Sequence, residues 1–409
     1  MRLVSAPAVV PLVPGGAPWV PEGAVALDDD DTIRAVGARA DLRRRFAQAP
    51  EQRAEGALLP GLVNAHTHLE LSGLAGEVTG GAGLVAWAGA CVRAAEEETY
   101  EHRRDAAASA AADAVRLGTA AVGDVSNALA SLPGIAAAGL RGTIFHELLG
   151  SREARTGDAL ADAARERALA SKRHPWPAGL GYVVAPHAPY SADRDLLSRI
   201  FAAAARTGLP TSIHLAEDED ELALLRDGTG RWPAVLEAMG VDVQARVPRT
   251  SPVAYVAALG AFAGPAPPLL VHMVHARAHE LWAVEAARAT VVVCARSNLY
   301  IGGRLPDVPT LLAHRIQLAL GTDSLASSPD LSLFAEIATL GAAFPAVPAL
   351  TWLEAATAGG ARALRLEACG ALAPGRRPGL LDVGVADLAA PLESLVRDPD
   401  PPLRWMAHA

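Results

Sequence analysis

Lysine is almost missing from this chain: Lys172 is the only one in 409 residues. Cysteine is scarce as well. Cys91, Cys294 and Cys369 are odd in number, far apart, and form no Cys-x-x-Cys. That argues against a disulfide framework and against a cysteine-built zinc site. No uninterrupted apolar run is long enough to span a bilayer. Pro7, Pro11, Pro14 and Pro18 break up the apolar residues that follow Arg2, so a signal peptide is not expected. The formal net charge is −9 and no basic stripe is present, which leaves nucleic acid and anionic membranes without support as partners. No internal repeat is visible, and the acidic run Asp28 to Asp31 is too short to be a tail. The expectation is a soluble cytoplasmic protein. Self-association into a homo-oligomer stays open.

What is present is a large apolar fraction, 51% of the residues. A chain of this length is too long for one ordinary compact domain and fits a big barrel with additions, or two to three domains. From residue 59 a rhythm begins, in which apolar strands end in polar residues and amphipathic or Ala-rich stretches follow. Eight strands are expected at 59–68, 119–125, 142–149, 179–187, 210–215, 269–274, 290–295 and 317–322. Helices fit between them at 84–117, 128–139, 152–171, 192–207, 219–239, 277–288, 306–315 and 331–341. This alternation predicts α/β architecture with parallel strands, and eight units predict a (β/α)8 TIM barrel over 59–370. A doubly wound sheet is the alternative, but no Gly-rich dinucleotide fingerprint follows any strand. The ends, 1–58 and 371–409, contain strand and turn material that could pair into a small β-sandwich-like domain beside the barrel.

Chemistry in such a barrel sits at the C-terminal ends of the strands, and polar residues fall there. His66 and His68 close the first strand, and side chains two apart on a strand share a face. Their Cα atoms are about 7 Å apart, so both imidazoles can reach one metal ion. His214 ends strand five with Glu217 three residues on, His272 ends strand six, and Asp323 ends strand eight. Each has a plainer reading. His214 could be a satisfied core histidine. Glu217 could be an acid at a helix start beside Asp218 and Glu219. Asp323 could belong to a turn. His275 and His279 read as helix-start residues, and His102, His146, His174, His314 and His408 show no pattern. The joint occurrence at strand ends carries the functional reading. His66, His68, His214 and Asp323 can bind one divalent ion, with zinc favoured over iron or manganese, and leave room for a water that the ion acidifies toward a pKa of about 7. Glu217 is placed to act as general acid, and His272 to hold the water or a developing oxyanion.

The set Pro60-Gly61-Leu62-Val63-Asn64-Ala65-His66-Thr67-His68, His214-x-x-Glu217, His272 and Gly321-Thr322-Asp323 resembles the amidohydrolase superfamily over nearly the whole chain. Many relatives of this kind bridge two metals with a carboxylated lysine on strand four. Lys172 lies before that strand, at the wrong end, so one metal is expected; Glu147 could in principle bridge, but is expected rather to line the pocket or be structural. His-x-x-Glu after strand five is the arrangement of the deaminase branch. That resemblance implies hydrolytic removal of an exocyclic amine from an aromatic amidine such as C6 of an adenine ring. The attacking water gives a proton to Asp323, Glu217 protonates the adjacent ring nitrogen, His272 steadies the oxygen, and Asp323 delivers its proton to the departing ammonia.

Residues 64–72, 214–230 and 319–327 are similar to the aminodeoxyfutalosine deaminases of menaquinone biosynthesis, with the methylthioadenosine and adenosylhomocysteine deaminases as close cousins. The likeness implies that His187 and Ser327 contact substrate. Trp87 is a candidate lid residue, and Arg296 a candidate partner for an acidic substrate group, although Ala295 stands where the family usually has Pro. Deamination of adenosine, guanine or cytosine and dechlorination of a triazine-like ring use the same attack, so the motifs alone do not separate them. A catalytically inactive scaffold would be expected to have lost ligands, and here all four stand with Glu217 and His272.

Overall fold

The computed structural model of this protein describes residues 1–150, 158–244 and 247–409. The N-terminal part forms β1 (Arg2–Val9), β2 (Val20–Leu27), β3 (Ile33–Ala38), β4 (Glu51–Arg53) and β5 (Ala57–Leu59). Next come β6 (Leu62–Thr67), β7 (Thr119–Ser126), β8 (Arg141–Leu148) and β9 (Leu180–Pro186), which pair in that order as one parallel sheet. A second parallel sheet contains β10 (Ser212–Leu215), β11 (Leu269–His272), β12 (Thr290–Val293) and β13 (Gln317–Leu320). Finally β14 (Leu380–Val383) and β15 (Leu403–Ala407) return to the N-terminal strands. The resulting sheet has the order β15-β14-β5-β1-β2-β3, with β4 on β1, and so is built from both chain ends.

The two parallel sheets touch at two seams. Thr67 bridges to Asp323, and the backbone N–H groups of Thr322 and Asp323 both donate to the His66 carbonyl. On the other side, the His214 N–H donates to the His187 carbonyl at 2.9 Å. Strands covered on both faces read as near-continuous apolar runs, and all eight residues of β7 and all six of β6 are buried. Val63, Ala65, Phe145, Val271, Val292 and Ala319 pack into one cluster among these strands. Burying a side chain such as Phe145 contributes about 1.5–3 kcal/mol.

The eight strands and their alternation with helices follow the sequence reading, with local differences. The expected first strand is two strands. Pro60-Gly61 interrupts it, leaving β5 in the end sheet, and His68 falls just past β6 at the head of the 3-10 turn Leu69–Leu74. The expected helix 84–117 is two, Leu84–Glu96 and Tyr100–Arg116, because Thr99 caps the second by accepting from the His102 N–H. The expected helix 219–239 is also two, Glu219–Asp227 and Trp232–Ala238. Gly228 stops the first at φ 75°. Of the expected helix 152–171, residues 152–157 lie outside the described residues; the helix seen is Ala159–Arg173. Helix Ala295–Gly302, directly after β12, was not anticipated. Among the described residues no helix is long and apolar enough to cross a membrane.

Candidate metal centre and active site

At the end of β6, His66 is fully buried and neither ring nitrogen has a hydrogen-bond partner. A buried polar side chain left unpaired is costly, so this ring calls for something to bind. Ring nitrogens of His66, His68 and His214 lie within 4.8 Å of one another, and Nε2 of His68 is 3.2 Å from Nε2 of His214. Asp323 Oδ1 faces the same space, 3.9 Å from His66 Nε2 and 3.7 Å from His68 Nε2. The three sequence-predicted imidazoles thus converge, and the Asp323 carboxylate stands beside two of them. Burial and the neighbouring histidines hold His66 well below the ordinary imidazole pKa, and burial with the nearby His187 takes His214 down to about 3. Neutral imidazoles are the form that binds a metal. The arrangement fits a divalent ion.

Local backbone sets these aims. A Cβ on Gly321 would lie 2.6 Å from the His66 carbonyl oxygen, so only glycine lets the end of β13 lie this close to β6. Asp323 itself has φ 58°. Its second oxygen, Oδ2, accepts from the Ser297 hydroxyl at 2.5 Å and the Ser327 hydroxyl at 3.2 Å. Burial pushes the Asp323 carboxyl up, but His68, His272 and the Ser297 hydroxyl outweigh it and hold the group below the usual aspartate value. His214 Nδ1 donates to the His187 carbonyl at 3.0 Å, which turns Nε2 toward the centre. Glu147 stands behind it, with Oε1 3.6 Å from Nδ1, and accepts from the Asn127 side chain at 3.0 Å. Glu147 also falls within ligating distance of His187 and His214. Lys172 is exposed in the last turn of its helix.

Glu217 is carried on a strained turn. Ala216 has φ 51°, and buried Glu221 clamps the turn by accepting from the N–H groups of Ala216 at 3.1 Å and Glu217 at 3.0 Å. Burial, then the charge of Asp323, raises the Glu217 carboxyl well above the glutamate range, which favours its acid form. Its Oε2 lies 3.5 Å from His272 Nε2. His272 is buried at φ 72°, and burial takes its pKa down to about 4. Asn298 Nδ2 lies 2.9 Å from His272 Nδ1. A cavity of about 1220 Å³ opens beside Glu217 and Asn298, bordered also by Asp218, His275, Arg277 and Arg304.

The other anticipated residues sit around this centre in different ways. His187 packs its ring 4.8 Å from that of His214, and its Nδ1 is 2.6 Å from the Ser191 hydroxyl. Ser327 touches Asp323, as above. Trp87 lies between two apolar clusters and donates its indole N–H to the Ala326 carbonyl at 3.4 Å. Arg296 is engaged by Asp330 through two bonds of 2.6 and 3.1 Å, so a protein carboxylate already meets its guanidinium. Sequence reasoning missed Ser297, Asn298 and Glu221. Ser297 and Asn298 follow Arg296 directly, but without an expected helix there nothing aimed them at the centre.

Residues 57–399 match the amidohydrolase family. The chain is 34% identical over 358 residues to the aminodeoxyfutalosine deaminase of Deinococcus radiodurans, covering 85% of this chain and 82% of that protein. It is 31% identical over 384 residues to a 5-methylthioadenosine/S-adenosylhomocysteine deaminase of Nitratidesulfovibrio vulgaris, covering 91% and 81%. Its fold is similar to that of the Helicobacter pylori aminofutalosine deaminase solved with methylthio-coformycin, with TM-score 0.86, 22% identity, and 100% of this chain and 98% of that one covered. The chain belongs to the amidohydrolase family and is a hydrolase of carbon–nitrogen bonds.

Proposed function

We propose that this amidohydrolase deaminase acts on an aminopurine nucleoside, with aminodeoxyfutalosine of the menaquinone route as its substrate, and that it uses one metal ion. The observation that carries the chemistry is the convergence of His66, His68, His214 and Asp323 beside the facing pair Glu217 and His272. His66, His68, His214 and Asp323 would hold one divalent ion, zinc in our reading with iron or manganese as alternatives, which supplies acidified water at neutral pH. The exposed Lys172 leaves no lysine bridge for a second ion.

The protein's own groups then divide the work. Asp323 takes a proton from the attacking water while Ser297 and Ser327 fix its carboxylate. Glu217, protonated, gives its proton to the ring nitrogen next to the attacked carbon. His272 steadies the incoming oxygen. Asp323 passes its proton to the departing amine, so water is consumed, ammonia leaves, and the ring carbon gains oxygen in place of nitrogen. His187 and Ser327 contact substrate and Trp87 covers it. Arg296, tied to Asp330, acts least directly. We read the eight strands of 59–370 as one barrel, which the two seams support, with 1–58 and 371–409 as a small domain beside it.

The likeness to the Deinococcus enzyme supports the substrate; the relative from Nitratidesulfovibrio, matched over 91% of this chain, supports methylthioadenosine or adenosylhomocysteine as the second reading. An ammonia-release screen over aminodeoxyfutalosine, methylthioadenosine, adenosylhomocysteine, adenosine, guanine and cytosine tests both. The highest kcat/KM is expected on aminodeoxyfutalosine. A preference for methylthioadenosine transfers the assignment to the second reading, and no release from any compound removes the deaminase reading.

A further inference from the structure

The first turn of helix Ala295–Gly302 touches both groups that handle protons or oxygen opposite Glu217. Ser297 reaches Asp323, and Asn298 reaches His272. The turn is anchored independently of Asn298, because buried Glu336 accepts from the Arg296 N–H at 3.2 Å and Ser297 holds Asp323. Asn298 is buried; its Nδ2 points at His272 Nδ1, and its Oδ1 has no hydrogen-bond partner.

A neutral imidazole carries one ring proton, and the two nitrogens are then opposite in character, one donor and one acceptor. An amide N–H directed at Nδ1 requires Nδ1 to accept. The proton must then sit on Nε2, the nitrogen that faces Glu217 at 3.5 Å. Only that tautomer can donate to an oxygen arriving in the centre. With the proton on Nδ1, Nε2 would be an acceptor and would repel the lone pairs of an incoming oxygen. No other described hydrogen bond to the His272 ring constrains the choice.

We propose that Asn298 is the positioning residue that fixes His272 in its Nε2-protonated form and so makes it a donor to the attacking oxygen, a role that rests on the deaminase reading above. An aspartate at 298 has the same shape but only accepts, so it would reward a proton on Nδ1 and invert the ring. An alanine removes the tie without imposing the wrong form. The device therefore ranks the variants against shape: Asn298→Asp, the close isostere, is the more damaging. A purely structural role for Asn298 gives the reverse order.

The test is the ¹⁵N spectrum of histidine-labelled, metal-loaded protein, with His272 assigned by difference against His272→Asn, alongside steady-state kinetics. In the wild type, Nδ1 of His272 is expected to be bare and Nε2 protonated. In Asn298→Asp the proton moves to Nδ1, and kcat falls on the order of 10² to 10⁴-fold, the range in which a mis-set imidazole operates, with metal content unchanged. Asn298→Ala retains more kcat than Asn298→Asp. A proton on Nδ1 in the wild type overturns the proposal, and so does an Asn298→Asp variant that is no worse than Asn298→Ala. The ring spectrum needs no substrate, so a wild type that releases no ammonia sinks the deaminase reading while the tautomer is still decided.

Discussion

The two four-stranded sheets meet the centre with different backbones. From β6 to β9 the site residues His66, His68, Glu147 and His187 all sit at negative φ, on or just past regular strands of six to eight residues. From β10 to β13 the strands are four residues long, and Ala216, His272, Met273 and Asp323 all have positive φ. Such conformations cost about 1–3 kcal/mol each and persist only where neighbours fix them. Here the fixing groups are visible: Glu221 on the Ala216 turn, Asn298 on His272, and the His66 carbonyl with Ser297 on Asp323. In the proposed site the first half contributes His66 and His68 from the end of a regular strand; the second half contributes His214 and Asp323 as well as Glu217 and His272, and it carries Glu217, His272 and Asp323 on or beside residues at positive φ.

Breaking each half should therefore look different. His66→Ala should have the largest effect, with metal content falling to near zero and deamination with it, read by elemental analysis and ammonia release. Glu217→Gln should lose on the order of 10² to 10⁴ in kcat while keeping its metal and its fold. Because burial raises the Glu217 pKa, the acid form needed for donation persists above the ordinary glutamate range. The alkaline limb of the wild-type kcat/KM, where that proton is lost, should lie well above the ordinary glutamate range; an alkaline decline beginning near pH 4–5 would contradict it. Gly321→Ala should destabilise the fold by about 1–3 kcal/mol through overpacking and weaken metal retention, seen as a lower Tm and a lower metal content together. The smallest change sharpens the contrast most. Ala216→Gly should relieve the turn and leave thermal stability equal or up to about 1 kcal/mol higher, while kcat drops because Glu217 is less firmly aimed.

The same division explains what could be read from the chain. His66, His68, His214, Glu217, His272 and Asp323 were legible because they lie at or just past the ends of apolar strands, where a (β/α)8 barrel, the fold expected from the sequence, displays its chemistry. The supports were harder. Glu221 reads as one more acid in a helix start, and its work is to bind two backbone N–H groups. Ser297 and Asn298 lie on a helix of eight residues with little amphipathic pattern, immediately after β12, and their partners are 26 residues away in either direction. Pro60-Gly61 was seen as turn material, but the change of sheet between β5 and β6 depends on pairing with β14, more than 300 residues later. Arg296 looked available to a substrate because Asp330, its partner, carries no marker in sequence.

In this reading three imidazoles and Asp323 hold one metal ion, and Glu217 moves protons without holding it. Metal stoichiometry and ammonia release, measured side by side on the wild type and Glu217→Gln, separate the two roles. One ion per chain is expected in both proteins, with turnover in the variant lower by on the order of 10² to 10⁴. Two ions per chain, or equal turnover by the two proteins, would contradict this reading.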